Sequence, residues 1–138
     1  MKPKYARWLI LAVAAALLSL LPSPQTTNAA MVPSLVQAYP PRGCVDLYQD
    51  DNHGGERLRY CRPVNVASLS AHWNDRISSI YVGYGRHIWV FTESGYRGAR
   101  RCFPGNTYVN SLRAFRIDWR KTWNDIISSF QIHNGNNC

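Results

Sequence analysis

One phrase occurs twice in this chain, as WNDRISS at residues 73–79 and as WNDIISS at residues 123–129. Each copy runs directly into an apolar stretch. Each copy also follows a shorter shared pattern at residues 48–55 and 91–98, which consists of an aromatic residue, four residues, a ring, one residue and a glycine. Such an internal repeat, although the spans within its two halves differ, marks a supersecondary unit that cannot bury its apolar face alone, so two packed units are predicted.

The segments between these landmarks are typical of β-strands. Short stretches rich in aromatic and β-branched residues alternate with Gly, Asn, Asp and Pro clusters: VDLY, RLRYC, SSIYV, HIWVF, ARRCF and SSFQI. Each half predicts a strand, a folded hairpin with a glycine in a conformation that a Cβ disfavours, a second strand, a loop and a final strand. Two halves can pack face to face as a sandwich of roughly 95 residues. AFRIDWRKTW is expected to form a turn or two of helix.

The N-terminal part of the chain indicates secretion. Three cationic residues lie within the first seven positions, an apolar run covers 9–18, and TNAA at 27–30 offers small residues for cleavage. The apolar run is shorter than the ~20 residues that span a bilayer. The sequence therefore predicts a signal peptide at 1–30, a proline-rich flexible leader at 31–43 and one extracellular domain at 44–138, with no membrane span in the mature protein.

Charge and aromatic content give a less specific signal. Residues 31–138 carry 13 Arg or Lys against 8 Asp or Glu, a net charge of +5 without any block of like charges. We interpret this positive charge as a contribution to solubility. The alternative interpretation is attraction to anionic cell-envelope polymers. Several aromatic residues among the arginines are predicted to belong to the core rather than to a nucleic-acid-stacking face. They are Trp73, Trp89, Trp119, Trp123, Tyr81 and Tyr84.

The cysteines and histidines argue against catalysis and against zinc. The four cysteines of the predicted mature chain are Cys44, Cys61, Cys102 and Cys138, an even number that predicts two disulfides in an oxidising compartment, with three possible pairings. Their spacing contains no CxxC pair. The four histidines are dispersed without a nucleophile partner, so no enzyme is predicted. An EF-hand starting at Asp50 is excluded because its twelfth position is Cys61.

Taken together, these motifs resemble the βγ-crystallins, in particular their secreted microbial members. The Greek-key signature of that family is matched by Phe91, Tyr96 and Gly98, and by Tyr48, His53 and Gly55 with histidine replacing the second aromatic residue. The family's calcium signature is Asn/Asp, Asn/Asp, two residues, Ser/Thr and Ser. Residues 74–79 and 124–129 match it without departure.

This resemblance implies an all-β, βγ-crystallin-like Greek-key sandwich of two four-stranded sheets, stapled by disulfides. Motif one is expected at about 44–83 and motif two at about 86–133. It also implies two Ca²⁺ sites, formed by a double clamp in which each loop contributes to both sites. Ca²⁺ takes six to eight oxygen ligands from carboxylates, carbonyls, hydroxyls and water.

The resemblance also implies which residues act at these sites. The implied ligands are Asp75, Ser78 and the Arg76 carbonyl, Asp125, Ser128 and the Ile126 carbonyl, and the hairpin carbonyls of Gln49 and Thr92. The implied supporting residues are Asn74, Asn124, Ser79 and Ser129. Ser79 and Ser129 are assigned to the hairpins, because family members that bind no calcium retain this serine. Each site has one carboxylate ligand, and Asp50 or Glu93 could add charge in the outer shell. The affinity for calcium is therefore expected to be modest.

The predicted function is therefore that of a secreted, non-catalytic, calcium-binding protein. The favoured disulfide pairs are Cys44 with Cys61, which flank the first hairpin, and Cys102 with Cys138. One alternative is inhibition of an extracellular metalloproteinase by a member of the same fold, with residues 97–101 or 106–113 entering the protease. The other alternative is an antimicrobial or toxin-like protein.

Overall fold

A computed structural model describes residues 41–138, so the predicted signal peptide and most of the predicted leader lie outside the described residues. The described chain forms eight strands: β1 Val45–Tyr48, β2 Arg57–Tyr60, β3 Val64–Val66, β4 Ser79–Val82, β5 Arg86–Glu93, β6 Arg97–Phe103, β7 Thr107–Val109 and β8 Ser129–Asn134. Two short 3-10 helices cover Asp51–His53 and Leu112–Ala114. Within this range no helix has the length and apolarity needed to cross a membrane.

The strands form two antiparallel four-stranded sheets with the orders β2-β1-β4-β7 and β3-β8-β5-β6. The all-β prediction is confirmed, and all six predicted stretches contribute to strands. The predicted sandwich of two four-stranded sheets is confirmed, although the local sequence pattern indicated only three strands in each repeat and each repeat has four. The additional strands, β3 and β7, each pair with a strand of the other repeat, so neither sheet can form from one repeat alone.

The core lies between the two sheets and is built from the inward-facing apolar side chains. Leu47, Ile80, Ile88 and Phe130 are fully buried there. Trp73 and Trp123, which open the two repeated phrases, are also buried in this core. The apolar end of each phrase therefore fixes a strand in the sandwich, while its polar part remains at the surface.

Two glycines set the conformation of the folded hairpins. Gly55 and Gly98 have φ values of +70° and +77°. A Cβ at Gly55 would lie 2.6 Å from the Asp50 carboxylate, and one at Gly98 would lie 2.3 Å from Thr92 Oγ1. Both glycines are thus required by backbone conformation and by close approach, as the sequence predicts.

The two disulfides join Cys44 to Cys61 and Cys102 to Cys138, which is the favoured pairing. The first links the residue before β1 to the residue after β2. The second ties the C-terminal residue to β6. Within the described residues no cysteine is free.

The expected helix in AFRIDWRKTW is absent, because the segment instead closes on itself as a loop. Arg116 and Thr122 form an isolated antiparallel bridge. Asp118 Oδ1 accepts hydrogen bonds from the N–H groups of Arg120 and Lys121 at 2.7 and 2.8 Å, and this local bonding competes with helix formation. The loop exposes 73% of Trp119, and Tyr84 is 57% exposed elsewhere, so the prediction that both belong to the core is wrong.

The outer face of the first sheet holds a buried ion pair that fixes β1. Asp46 is fully buried, and Arg59 donates to both of its carboxylate oxygens at 2.8 Å. The Tyr48 hydroxyl donates to the same carboxylate at 3.0 Å, and burial together with the Asp46 charge raises the Tyr48 pKa. Burial also raises the pKa of Tyr81 to about 12. A buried carboxylate needs such partners, and this set anchors the strand whose last residue supports the candidate site.

Candidate functional site

The two polar loops that follow Trp73 and Trp123 lie side by side at one end of the sandwich. We call residues 74–79 and 124–129 the clamp loops. The Asp75 N–H donates to the Ile127 carbonyl at 3.2 Å, and the Asp125 N–H donates to the Ile77 carbonyl at 3.1 Å. Both aspartates have left-handed φ values, +56° and +54°. The two loops therefore hold each other through reciprocal backbone contacts.

The serines and aspartates of the clamp loops meet across the repeat. Ser78 Oγ donates to Asp125 Oδ1 at 2.9 Å. Ser128 Oγ lies 3.4 Å from Asp75 Oδ1. Each loop thus places its serine hydroxyl beside the carboxylate of the other loop, and two crossed pairs of oxygen donors result.

The folded hairpins lie directly against the clamp loops. The Ser78 N–H donates to the Tyr48 carbonyl at 2.9 Å, and the Ser128 N–H donates to the Phe91 carbonyl at 3.0 Å. The next residues along the chain are Gln49 and Thr92. The Thr92 carbonyl accepts from Ser128 Oγ at 3.1 Å, while Gln49 lines a cleft beside Ser78. Both predicted hairpin residues thus lie at the clamp loops.

Asn74 and Asn124 each bond to the aspartate that follows. Asn74 Nδ2 donates to Asp75 Oδ2 at 2.8 Å, and Asn124 Nδ2 donates to Asp125 Oδ2. These contacts orient the carboxylates and leave their Oδ1 atoms facing the serines of the opposite loop. Arg76 and Ile126 occupy the equivalent position, one residue further along each loop.

Ser79 and Ser129 point the other way, into the hairpins. Ser79 Oγ donates to the Asp50 carbonyl at 2.6 Å and accepts from the His53 N–H at 3.0 Å. Ser129 Oγ donates to the Glu93 carbonyl at 2.6 Å and accepts from the Tyr96 N–H at 3.1 Å. Both side chains are fully buried, and each uses its hydroxyl to close one hairpin.

An open polar cleft lies at the first clamp loop. It is lined by Gln49, Asp50, Asp51, Asp75, Arg76, Ser78, Arg113 and Asp125. Four carboxylates against two guanidinium groups make this lining acidic overall, in a protein that is basic as a whole. Its donors are oxygens rather than imidazole or thiolate groups, and such oxygens suit a hard cation.

Two residues of this cleft were missed in the sequence analysis. Asp51 lies in the first 3-10 helix, and Arg113, from the second repeat, approaches its carboxylate at 3.4 Å. Asp51 Oδ1 is buried without a hydrogen-bond partner among the described residues, and so is Asn124 Oδ1. Buried polar oxygens normally have a partner, so these two atoms fit a site that takes up water or a cation. The DD pair at 50–51 was the only sequence signal for Asp51.

The carboxylates of the site are nevertheless too dispersed to hold a metal ion by themselves. Among residues 41–138, no three His, Cys, Asp or Glu side chains form a group that could hold a metal by themselves. Any cation here would need hydroxyl and carbonyl oxygens in addition to carboxylates. The crossed serines and the hairpin carbonyls are the groups in position to supply them.

Comparisons with known proteins agree with this architecture. A family model described as peptidase inhibitor family I36 matches residues 38–103. A structure from work on the evolution of the eye lens βγ-crystallin domain fold is 25% identical, over 72% of this chain and 93% of that chain, with a TM-score of 0.59. A βγ-crystallin from Ciona intestinalis is 25% identical over 69% of this chain and 100% of its own, with a TM-score of 0.51.

A βγ-crystallin from an archaeon is 24% identical, over 66% of this chain and 98% of that chain, with a TM-score of 0.53. A search of curated proteins found no match. The predicted βγ-crystallin fold is confirmed, and so is the resemblance to peptidase inhibitors. βγ-crystallins and peptidase inhibitors are both non-catalytic kinds of protein.

Proposed function

We propose that this βγ-crystallin-fold protein is a secreted, non-catalytic protein that binds two calcium ions at its clamp loops. The observation that carries this proposal is the crossed arrangement of Ser78 with Asp125 and of Ser128 with Asp75. Each pair joins a hydroxyl and a carboxylate from opposite repeats, beside a hairpin that offers carbonyl oxygen. Calcium uses this mixture of oxygen donors.

One site would take Ser78, Asp125 and the Gln49 carbonyl, and the other would take Ser128, Asp75 and the Thr92 carbonyl. The Arg76 and Ile126 carbonyls would be the remaining ligands from the clamp loops, and water would occupy the other coordination positions. The cation would supply positive charge where carboxylates from both repeats converge, and so would hold the two repeats together. Two disulfides among the described residues support an oxidising, extracellular location.

Calcium is expected to raise the melting temperature of the protein. With few carboxylates per site, we expect dissociation constants between about 10⁻³ M and micromolar. A ligand at 100 times its dissociation constant adds about 2.7 kcal/mol to the free energy of unfolding, which corresponds to roughly 10–20 °C for a domain of this size. Calorimetric titration measures the dissociation constant, and melting curves in EDTA and in calcium at about 100 times that constant measure the shift. Identical curves in the two buffers would contradict the proposal.

Inhibition of an extracellular peptidase is a second candidate, which the family match over residues 38–103 supports. An inhibitor needs an exposed segment that keeps its shape, because ordering a loop on binding costs affinity. Residues 97–101 lie within β6, and residues 106–113 include β7 and the first two residues of the second 3-10 helix. The loop at 116–122 is a further candidate, since it is closed by a bridge and an internal Asp118 turn and it exposes Trp119.

Titration of a thermolysin-like metalloproteinase with this protein tests the second candidate. We expect stoichiometric inhibition, and we expect Trp119→Ala to weaken it by at least about tenfold, equivalent to about 1.4 kcal/mol. Tyr84→Ala, which also removes an exposed ring, is the matched control and should inhibit like the natural protein. Full inhibition by Trp119→Ala would exclude the loop, and a panel of peptidases left unaffected would exclude the function. Neither result bears on calcium binding.

A further inference from the structure

Two histidines face each other on the outer surface of the second sheet. His87 on β5 and His133 on β8 are direct partners in the antiparallel register. Their rings are stacked, with centroids 5.3 Å apart and planes inclined by 24°. Both side chains are half-buried, so the pair is partly held by its surroundings and still open to solvent.

A backbone contact defines the state of one of these rings. His87 Nδ1 lies 3.2 Å from the Gly135 carbonyl oxygen. A carbonyl only accepts hydrogen bonds, so Nδ1 carries the proton and the lone pair of a neutral ring lies on Nε2. Histidines that bind metals commonly donate their second N–H to such a carbonyl, which fixes both the tautomer and the ring orientation.

The positive charge of the neighbouring Arg86 points away from the histidine pair. Arg86 precedes His87 on β5, and successive side chains of a strand point to opposite faces. Its guanidinium donates to the carbonyls of Gly85 and Cys61 and to Asn134 Oδ1, at 3.0, 3.2 and 2.5 Å. Those three oxygens hold the Arg86 cation in a fixed position on its own side of the strand.

We propose that His87 and His133 form a two-histidine site for a divalent transition metal, with water completing the coordination. Imidazole suits Cu²⁺, Ni²⁺ and Zn²⁺, and Cu²⁺ binds most tightly to a given set of nitrogen ligands. Calcium, which requires oxygen ligands, is excluded from this pair. The site is also remote from the clamp loops, since His87 and Thr92 are five residues apart on β5, or about 17 Å.

Trp89 provides an internal reporter for this site. It lies two residues after His87 on the same face of β5, at about 7 Å along the strand, and the Arg100 guanidinium lies over its ring at 5.1 Å. Bound Cu²⁺ quenches nearby indole fluorescence. A metal held between β5 and β8 would also bind the folded state alone and stabilise it.

The test is titration of the metal-free protein with Cu²⁺, followed by calorimetry and by tryptophan fluorescence. We expect one equivalent to bind with quenching, and we expect His87→Gln and His133→Gln each to lower the affinity at least about tenfold. Their melting temperatures in EDTA should match that of the natural protein, which shows that the fold is intact. His72→Gln is the control, because His72 contacts Glu56 at 2.6 Å in the first repeat and should leave binding unchanged.

Three results would contradict a metal site at His87 and His133. Absence of a stoichiometric Cu²⁺ equivalent in the natural protein would overturn the proposal. So would a double His87→Gln, His133→Gln variant with unchanged affinity, since binding would then lie elsewhere. Excess calcium should not displace the metal; displacement would contradict the separation of the two kinds of site.

Discussion

Replacing both Ser78 and Ser128 with arginine is expected to abolish calcium binding and to erase the calcium-dependent rise in melting temperature. Each substitution removes a hydroxyl from a crossed Ser–Asp pair and brings a cation to the place where calcium would add positive charge. The guanidinium can pair with the facing carboxylate, so Asp125 and Asp75 are both occupied. Calorimetric titration with calcium measures the loss directly.

Two further variants separate this effect from a change in fold or in net charge. Ser78→Ala with Ser128→Ala removes only the hydroxyls and should weaken calcium binding by about tenfold or more, equivalent to about 1.4 kcal/mol. Tyr84→Arg with Asn137→Arg adds the same charge at exposed positions beyond the far ends of β4 and β8, and should bind calcium like the natural protein. Undiminished binding in the double-arginine variant would exclude the clamp loops as the site.

The fold could be predicted from the sequence wherever the signal was local. The six longer strands were recognisable because their apolar and aromatic residues are bounded by turn residues, and Gly55 and Gly98 marked the hairpins. The three-residue strands β3 and β7 carried no such signal. They exist because β8 and β4, from the opposite repeats, supply their hydrogen-bond partners, and this long-range pairing is invisible in a local pattern.

The same distinction applies to the site and to the loop at 114–123. The clamp residues were identified from a repeated motif and a family resemblance, and the structure brings them together. The pairing of Asp51 with Arg113 joins two residues that are far apart in the chain, so no spacing rule could find it.

The helix expected at 114–123 does not form, because Asp118 accepts hydrogen bonds from the backbone N–H groups two and three residues further on. This local bonding makes a turn more favourable than the helix.

Replacing Ser79 and Ser129 with alanine is expected to lower the free energy of unfolding in EDTA as well as in calcium. Each substitution removes the partner of one hairpin carbonyl and one hairpin N–H, at Asp50 and His53 in the first repeat and at Glu93 and Tyr96 in the second. A typical intramolecular hydrogen bond contributes about 0.5–1.5 kcal/mol to stability, and the two substitutions together remove four such bonds. Two sites together amount to a large part of the 5–15 kcal/mol that typically stabilises a domain.

Ser78→Ala with Ser128→Ala is the matched control, because it removes two equally small, buried hydroxyls from adjacent positions. Its unfolding free energy in EDTA should fall less than that of the Ser79 and Ser129 variant, because the Asp75 and Asp125 carboxylates that lose a partner are exposed to water. The stabilisation that calcium adds should decrease. Urea denaturation in both buffers therefore gives opposite patterns for the two pairs of serines. If the Ser79 and Ser129 variant kept natural stability in EDTA, the hairpins would not depend on these hydroxyls, and the division of each Ser-Ser pair into a metal-facing and a hairpin-facing member would be wrong.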